Sequence, residues 1–134
     1  MKPTVLDSYA LIAYLEHEDG AGEVARIFDE CIAKDRQVLV CVINWGEVFY
    51  HSLRVGGEQA AQLALDAMRA LPIDLVEANK ELTLAAARLK AQNRMSYADC
   101  FAAALAKTKK GAELVTGDKE FKQVQTEIKI RWIK

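Results

Sequence analysis

The hydrophobic positions change period several times along the chain, and each change marks an element. Thr4-Val5-Leu6-Asp7-Ser8 reads as a short buried strand that delivers a carboxylate to its own carboxyl end. Directly afterwards Tyr9, Ile12, Ala13 and Leu15 recur at roughly helical spacing, so strand passes into helix with Asp7 at the junction. A second helix is predicted from Gly20 to Lys34 through Val24, Ile27 and Phe28. The β-branched run Val38–Ile43 predicts a strand covered on both faces. Asn44 is the expected N-cap of a helix carrying Trp45, Val48, Phe49 and Leu53, with Glu47 off its apolar stripe. Gly56-Gly57 predicts a break, Glu58–Ala70 a further helix, and Leu71–Val76 a strand that Pro72 assigns to an edge or a strand start.

Helices are then expected over Asn79–Gln92 and Ser96–Lys110, the second rich in alanine, followed by a strand at Glu113–Thr116. Gly117-Asp118 opens a short helix to about Val124, and Ile128–Ile133 alternates apolar with basic residues as a last strand. Strands alternating with helices predict an α/β fold with a central, mainly parallel sheet and helices on both faces.

Bulk properties narrow the function little. The 134 residues suit a single domain over 1–134, and 51% hydrophobic with 28% charged residues is a globular composition. No run approaches the roughly 18 apolar residues of a membrane span, and the amino terminus lacks a secretory apolar region, so a cytoplasmic protein is expected. Cys31, Cys41 and Cys100 are odd in number and widely spaced, which favours free buried thiols over a disulfide frame or a zinc site. A net charge of −1 gives no global attraction to nucleic acid, so any phosphate-binding surface has to be local.

Four acids carry the chemistry. Asp7 closes strand one, Glu47 lies a turn beyond strand two, Asp99 is in the first turn of the Ala-rich helix, and Asp118 follows strand four. Each alone has a capping explanation: Asp7 and Asp118 as N-caps, Glu47 after Asn44 and Asp99 after Ser96 as capping boxes. Jointly they point elsewhere, because three of these helix starts lie along the carboxyl edge of a parallel sheet, and Asp99 joins them if its helix packs beside strand one. Carboxylates within about 5 Å repel by roughly 3 kcal/mol per pair at an effective dielectric near 20. Such a cluster calls for a hard divalent cation with oxygen ligands, Mg2+ or Mn2+.

Val5-Leu6-Asp7-Ser8, Glu47 after a strand, Tyr97-Ala98-Asp99-Cys100 and Leu114-Val115-Thr116-Gly117-Asp118 together resemble the motifs of PIN domains, over nearly the whole chain. Within that family, size and motif order look like the VapC toxins of toxin–antitoxin pairs. The resemblance implies a three-layer α/β/α sandwich and a Mg2+- or Mn2+-dependent endoribonuclease in which a metal-activated water leaves 5′-phosphate and 3′-hydroxyl ends. It implies Asp7 and Asp99 as principal metal ligands, with Glu47 orienting water or aiding a second ion and Asp118 completing the shell. Ser8 and Thr116 would be the neighbouring hydroxyls. It also implies a homodimer and a VapB-like antitoxin whose tail crosses the site, with Tyr9, Leu11, Ile12 and Leu15 divided between core and antitoxin groove. The approach Val42-Ile43-Asn44-Trp45-Gly46-Glu47 departs from the Thr- or Ser-rich one common in the family.

Basic residues near the motifs are Lys90, Arg94, Lys107, Lys109, Lys110, Lys119 and Arg131, of which Arg94 and Lys119 are the candidate RNA phosphate contacts because each lies close to a proposed ligand. His17 and His51 are too far apart to suggest a histidine pair acting through the RNA 2′-hydroxyl. The alternatives are a receiver-like Mg2+-binding domain, although strand one supplies one acid where a receiver needs two, and a PIN-like module that binds a partner without catalysis, with Trp45, Phe49 and Tyr50 as its surface.

Overall fold

The structure is a computed structural model and describes residues 2–134. Its elements in chain order are β1 (Thr4–Leu6), α1 (Ser8–Leu15), α2 (Ala21–Ala33), β2 (Val38–Cys41), α3 (Val42–Arg69), β3 (Ile73–Val76), α4 (Lys80–Gln92), α5 (Tyr97–Thr108), β4 (Glu113–Thr116) and β5 (Lys129–Trp132), with a 3-10 helix at Lys119–Val124 before β5. The five strands form one sheet in the order β3-β2-β1-β4-β5, and every pair is parallel. The order differs from the 2-1-3-4-5 arrangement of receiver domains, which removes the receiver-like alternative.

Two apolar layers sandwich the sheet. On one face α1, α2 and α3 bury Leu11, Val24, Phe28 and Val48 against Leu6, Val38, Val40 and Val115. On the other, α4 and α5 bury Leu82, Leu89, Phe101 and Leu105 against Val5, Cys41 and Leu114. This is the expected α/β/α sandwich. The alanines Ala102, Ala103, Ala104 and Ala106 are all buried, so α5 lies close against the middle of the sheet. Strands β1 and β4 are buried along their whole length, whereas β3 and β5 are half-exposed edges, which accounts for Pro72 beside the first and the alternating basic residues in the second.

Most boundaries follow the sequence pattern. Asn79 and Ser96 cap α4 and α5 through their side chains, and Gly57, at φ 76°, interrupts α3 where the glycine pair predicted a break. Strand two is the exception. It ends at Cys41, which is the N-cap of α3, so Val42 and Ile43 are helical and Asn44 is an interior residue of the first turn rather than the cap. A short continuous apolar run fits either element, so it carries no mark of the point where strand passes into helix. The three cysteines are free and buried. Among the described residues no helix is long and apolar enough to cross a membrane.

Candidate metal centre

Chain order β1, β2, β3 runs outward from the middle of the sheet in one direction, and β4 returns to the other side of β1. The direction of winding therefore reverses between β1 and β4, and in open α/β sheets the crevice at the carboxyl end of such a switch point is where ligands bind. The β1–β4 register pairs Leu6 with Val115, so the next residues along, Asp7 and Thr116, meet at that point.

Asp7 is 1% exposed. Its Oδ1 accepts the Ala10 backbone N–H at 2.9 Å as the N-cap of α1, and its Oδ2 accepts the Thr116 hydroxyl in a short hydrogen bond. Thr116 Oγ1 in turn accepts the Asp118 backbone N–H at 3.0 Å, so one hydroxyl ties the two acidic loops together. Asp118 caps the 3-10 helix through Glu120 N–H at 2.9 Å. The two sequence-predicted capping roles are thus real, and they coexist with a place at the switch point.

Burial is the largest cause lifting the Asp7 carboxyl to about 7; the Thr116 and Ala10 hydrogen bonds oppose it, and the charges of Asp99 and Asp118 add to it. Asp99 is lifted to about 6, first by burial, then by Asp118, against the Ser96 hydroxyl, with Glu47 and Glu120 raising it further. The structure therefore brings Asp7, Asp99 and Asp118 into mutual repulsion, with Glu47 acting on Asp99 from α3. Glu120 is a fifth acid that the sequence motifs did not single out.

Two other contacts escaped the sequence reading. Asn44 is completely buried, and its Nδ2 donates to Glu47 Oε1 at 3.1 Å and to the Ala98 carbonyl at 3.1 Å, while its Oδ1 has no partner. Gly117 lies against the Tyr9 ring so closely that a Cβ there would come within 2.3 Å of it, which explains a glycine between Thr116 and Asp118. Of the two expected hydroxyls, Thr116 bonds Asp7, while Ser8 makes no side-chain hydrogen bond among the described residues.

Arg94 and Lys119 are exposed and form no ion pair among the described residues. They belong to segments that are stitched together: Arg94 N–H donates to Gln123 Oε1 at 2.8 Å and Gln123 Nε2 donates back to the Arg94 carbonyl at 3.1 Å. Other basic candidates are engaged elsewhere: Lys90 with the Met95 carbonyl, Lys107 with Glu127, Arg131 with Glu23 and Glu113.

The donor chemistry fits a hard divalent cation. It consists of carboxylate oxygens, and the leading charges acting on Asp7 and Asp99 are those of other carboxylates. The side chains do not form a closed cage, since among the described residues no three His, Cys, Asp or Glu groups lie close enough to enclose an ion.

The sequence matches the PIN domain family over residues 4–127, and the chain belongs to that family. Its fold is shared with a chain of the DNA-bound VapBC from Salmonella typhimurium (14% identity, 100% of both chains, TM-score 0.75). It is likewise similar to VapBC2 from Rickettsia felis bound to a promoter DNA fragment (17%, 98% of both chains, 0.74). A third similar structure is VapC20 from Mycobacterium tuberculosis, a sarcin-ricin loop cleaving toxin (17%, 90% of this chain and 94% of that one, 0.69). At these identities the likeness establishes the fold. No individually curated protein sequence matches.

Proposed function

We propose that this chain, read as one PIN domain over residues 1–134, is the toxin of a type II toxin–antitoxin pair, an Mg2+- or Mn2+-dependent endoribonuclease that leaves 5′-phosphate and 3′-hydroxyl ends. The observation that carries the reading is the set of Asp7, Asp99 and Asp118 at the switch point of the sheet, in which the charges of Asp99 and Asp118 raise the Asp7 carboxyl and that of Asp118 raises Asp99. Asp7 and Asp99 would hold the ion; Glu47 and Asp118 would complete its surroundings directly or through water. A divalent cation bound there supplies Lewis acidity toward water and offsets charge on the phosphoryl oxygens, so no histidine base is required. Thr116 fixes the Asp7 carboxylate and the Asp118 backbone relative to each other. Arg94 and Lys119 suit contacts to the RNA phosphates flanking the scissile bond.

The likeness to VapBC chains supports an antitoxin partner. Leu11 belongs to the core, whereas Leu15 borders an apolar groove with Val55, Ala60, Leu63 and Ala64, where Val55 and Leu63 stand exposed. This groove between α1 and the two arms of α3 suits an amphipathic antitoxin segment. A homodimer belongs to the same proposal.

The test is cleavage of mixed cellular RNA with Mg2+, with Mn2+ and with EDTA, and mapping of the ends produced. Cleavage dependent on the ion with 5′-phosphate products is expected. Cleavage untouched by EDTA overturns the mechanism, and Mn2+ binding without any cleavage returns the non-catalytic interaction module.

A further inference from the structure

Asn44 is an anomaly if packing is its only role. Its carbonyl oxygen is buried without a partner, a condition that costs about 1–3 kcal/mol. An apolar side chain of similar shape would fill the space without that cost. The orientation of the amide is set by its surroundings: both neighbours of the nitrogen, Glu47 Oε1 and the Ala98 carbonyl, are acceptors, so turning the amide over would set oxygen against oxygen. What the nitrogen accomplishes spans two elements. It holds the Glu47 carboxylate of α3 to the first turn of α5, one residue from Asp99.

We propose that Asn44 is a positioning residue of the acidic site, using both amide protons to hold the Glu47 carboxylate at a set reach from Asp99. The inference rests on the reading of the acidic edge as a divalent-cation site. Without this clamp Glu47 is a surface-facing helix residue with several rotamers, and like-charge repulsion from Asp99 drives it away from the site. With it, two carboxylates on different helices stay on the same side of the crevice. Partners that orient metal-ligating carboxylates commonly alter metal affinity or activity by about 10- to 100-fold when removed.

The experiment is a double-mutant cycle of Asn44→Leu and Glu47→Gln, read by Mn2+ titration calorimetry, by initial rates of Mn2+-dependent cleavage of mixed cellular RNA, and by side-chain amide NMR signals of the metal-free protein. Asn44→Leu is expected to retain or raise the Tm and to weaken Mn2+ binding by about 10-fold; Asn44→Thr, which keeps one donor proton, recovers part of the loss. In the Glu47→Gln background Asn44→Leu adds less than about 2-fold, because the residue acts through Glu47. In metal-free protein Glu47→Gln shifts the Asn44 amide signals. Unchanged Mn2+ affinity in Asn44→Leu, additive losses in the double mutant, or unmoved amide signals each overturn the proposal. Wild-type protein that binds no Mn2+ overturns the cation reading and this role with it, whereas one that binds Mn2+ but cuts no RNA overturns the ribonuclease reading alone.

Discussion

The two ends of the sheet treat a buried carboxylate in opposite ways. At the amino end of β4, Glu113 is 4% exposed and meets Lys2 at 3.2 Å and Arg131 at 3.6 Å, and Arg131 also reaches Glu23 at 2.8 Å. The negative charge there is answered by cations of the chain itself, and the carboxylates in turn raise the Arg131 guanidinium, Glu23 first. At the carboxyl end Asp7 is buried still more deeply, yet it receives a hydroxyl and a backbone amide, and the nearby charges are further carboxylates. A buried charge is tolerated when it is paired or when a bound cation balances it. The amino end is complete within the chain; the carboxyl end is the one that the proposed cation would complete.

The most severe way to break this contrast is to neutralise the carboxyl end. Asp7→Asn or Asp99→Asn should lower Mg2+-dependent RNA cleavage by roughly 100-fold or more, since each removes a proposed ligand outright. Retained cleavage in either variant contradicts the assignment.

A second effect concerns pH. In the ligand-free fold Asp7 and Asp99 hold their protons up to about 7 and about 6, above the ordinary value of 3.8. The folded chain then binds more protons than the unfolded one between those values. This contribution to stability is fully present below the unfolded value and is lost as pH rises through 6 and 7. For Asp7 the loss is on the order of 4 kcal/mol. Urea midpoints in EDTA should fall from pH 5 to pH 8, and Asp7→Asn should remove most of that slope. Saturating Mn2+ at pH 8 should restore about 2.7 kcal/mol at a hundredfold excess over its Kd, read as a shift in the same midpoint.

Arg131→Met tests the amino end. It leaves Glu23 with Arg26 alone and Glu113 with Lys2 alone, and should cost about 1–2 kcal/mol in urea unfolding, discounted for the partial exposure of the pair. Mn2+ affinity should not change; if it does, the two ends are coupled and the contrast fails. The smallest effect is expected from Arg94→Ala, which should reduce RNA affinity and lower the slope of log affinity against log salt by about 1.

Much of this architecture was legible because its signals are local. Asp7 at a strand end, Asn79 and Ser96 before apolar helical runs, and the glycine pair at the break in α3 each announce themselves within a few residues. Asn44 misled for the same reason. A residue after a β-branched run and before a helix reads as a cap, and only the packing of α5 against α3 shows that its amide also reaches the Ala98 carbonyl. Glu120 and the Tyr9–Gly117 contact were hidden likewise, because each matters only through a residue brought near by folding.

Taken by itself, the order of residues determined the alternation of strands and helices and placed four acids at helix starts, since hydrophobic period and capping chemistry act over a turn or two. It was the tertiary structure that decided that β4 returns beside β1, that Thr116 joins Asp7 to Asp118, and that α5 carries Asp99 to the same edge. Strand order and helix packing arise from burial shared among segments up to a hundred residues apart. Repulsion between carboxylates, falling with distance, exists only once those segments meet.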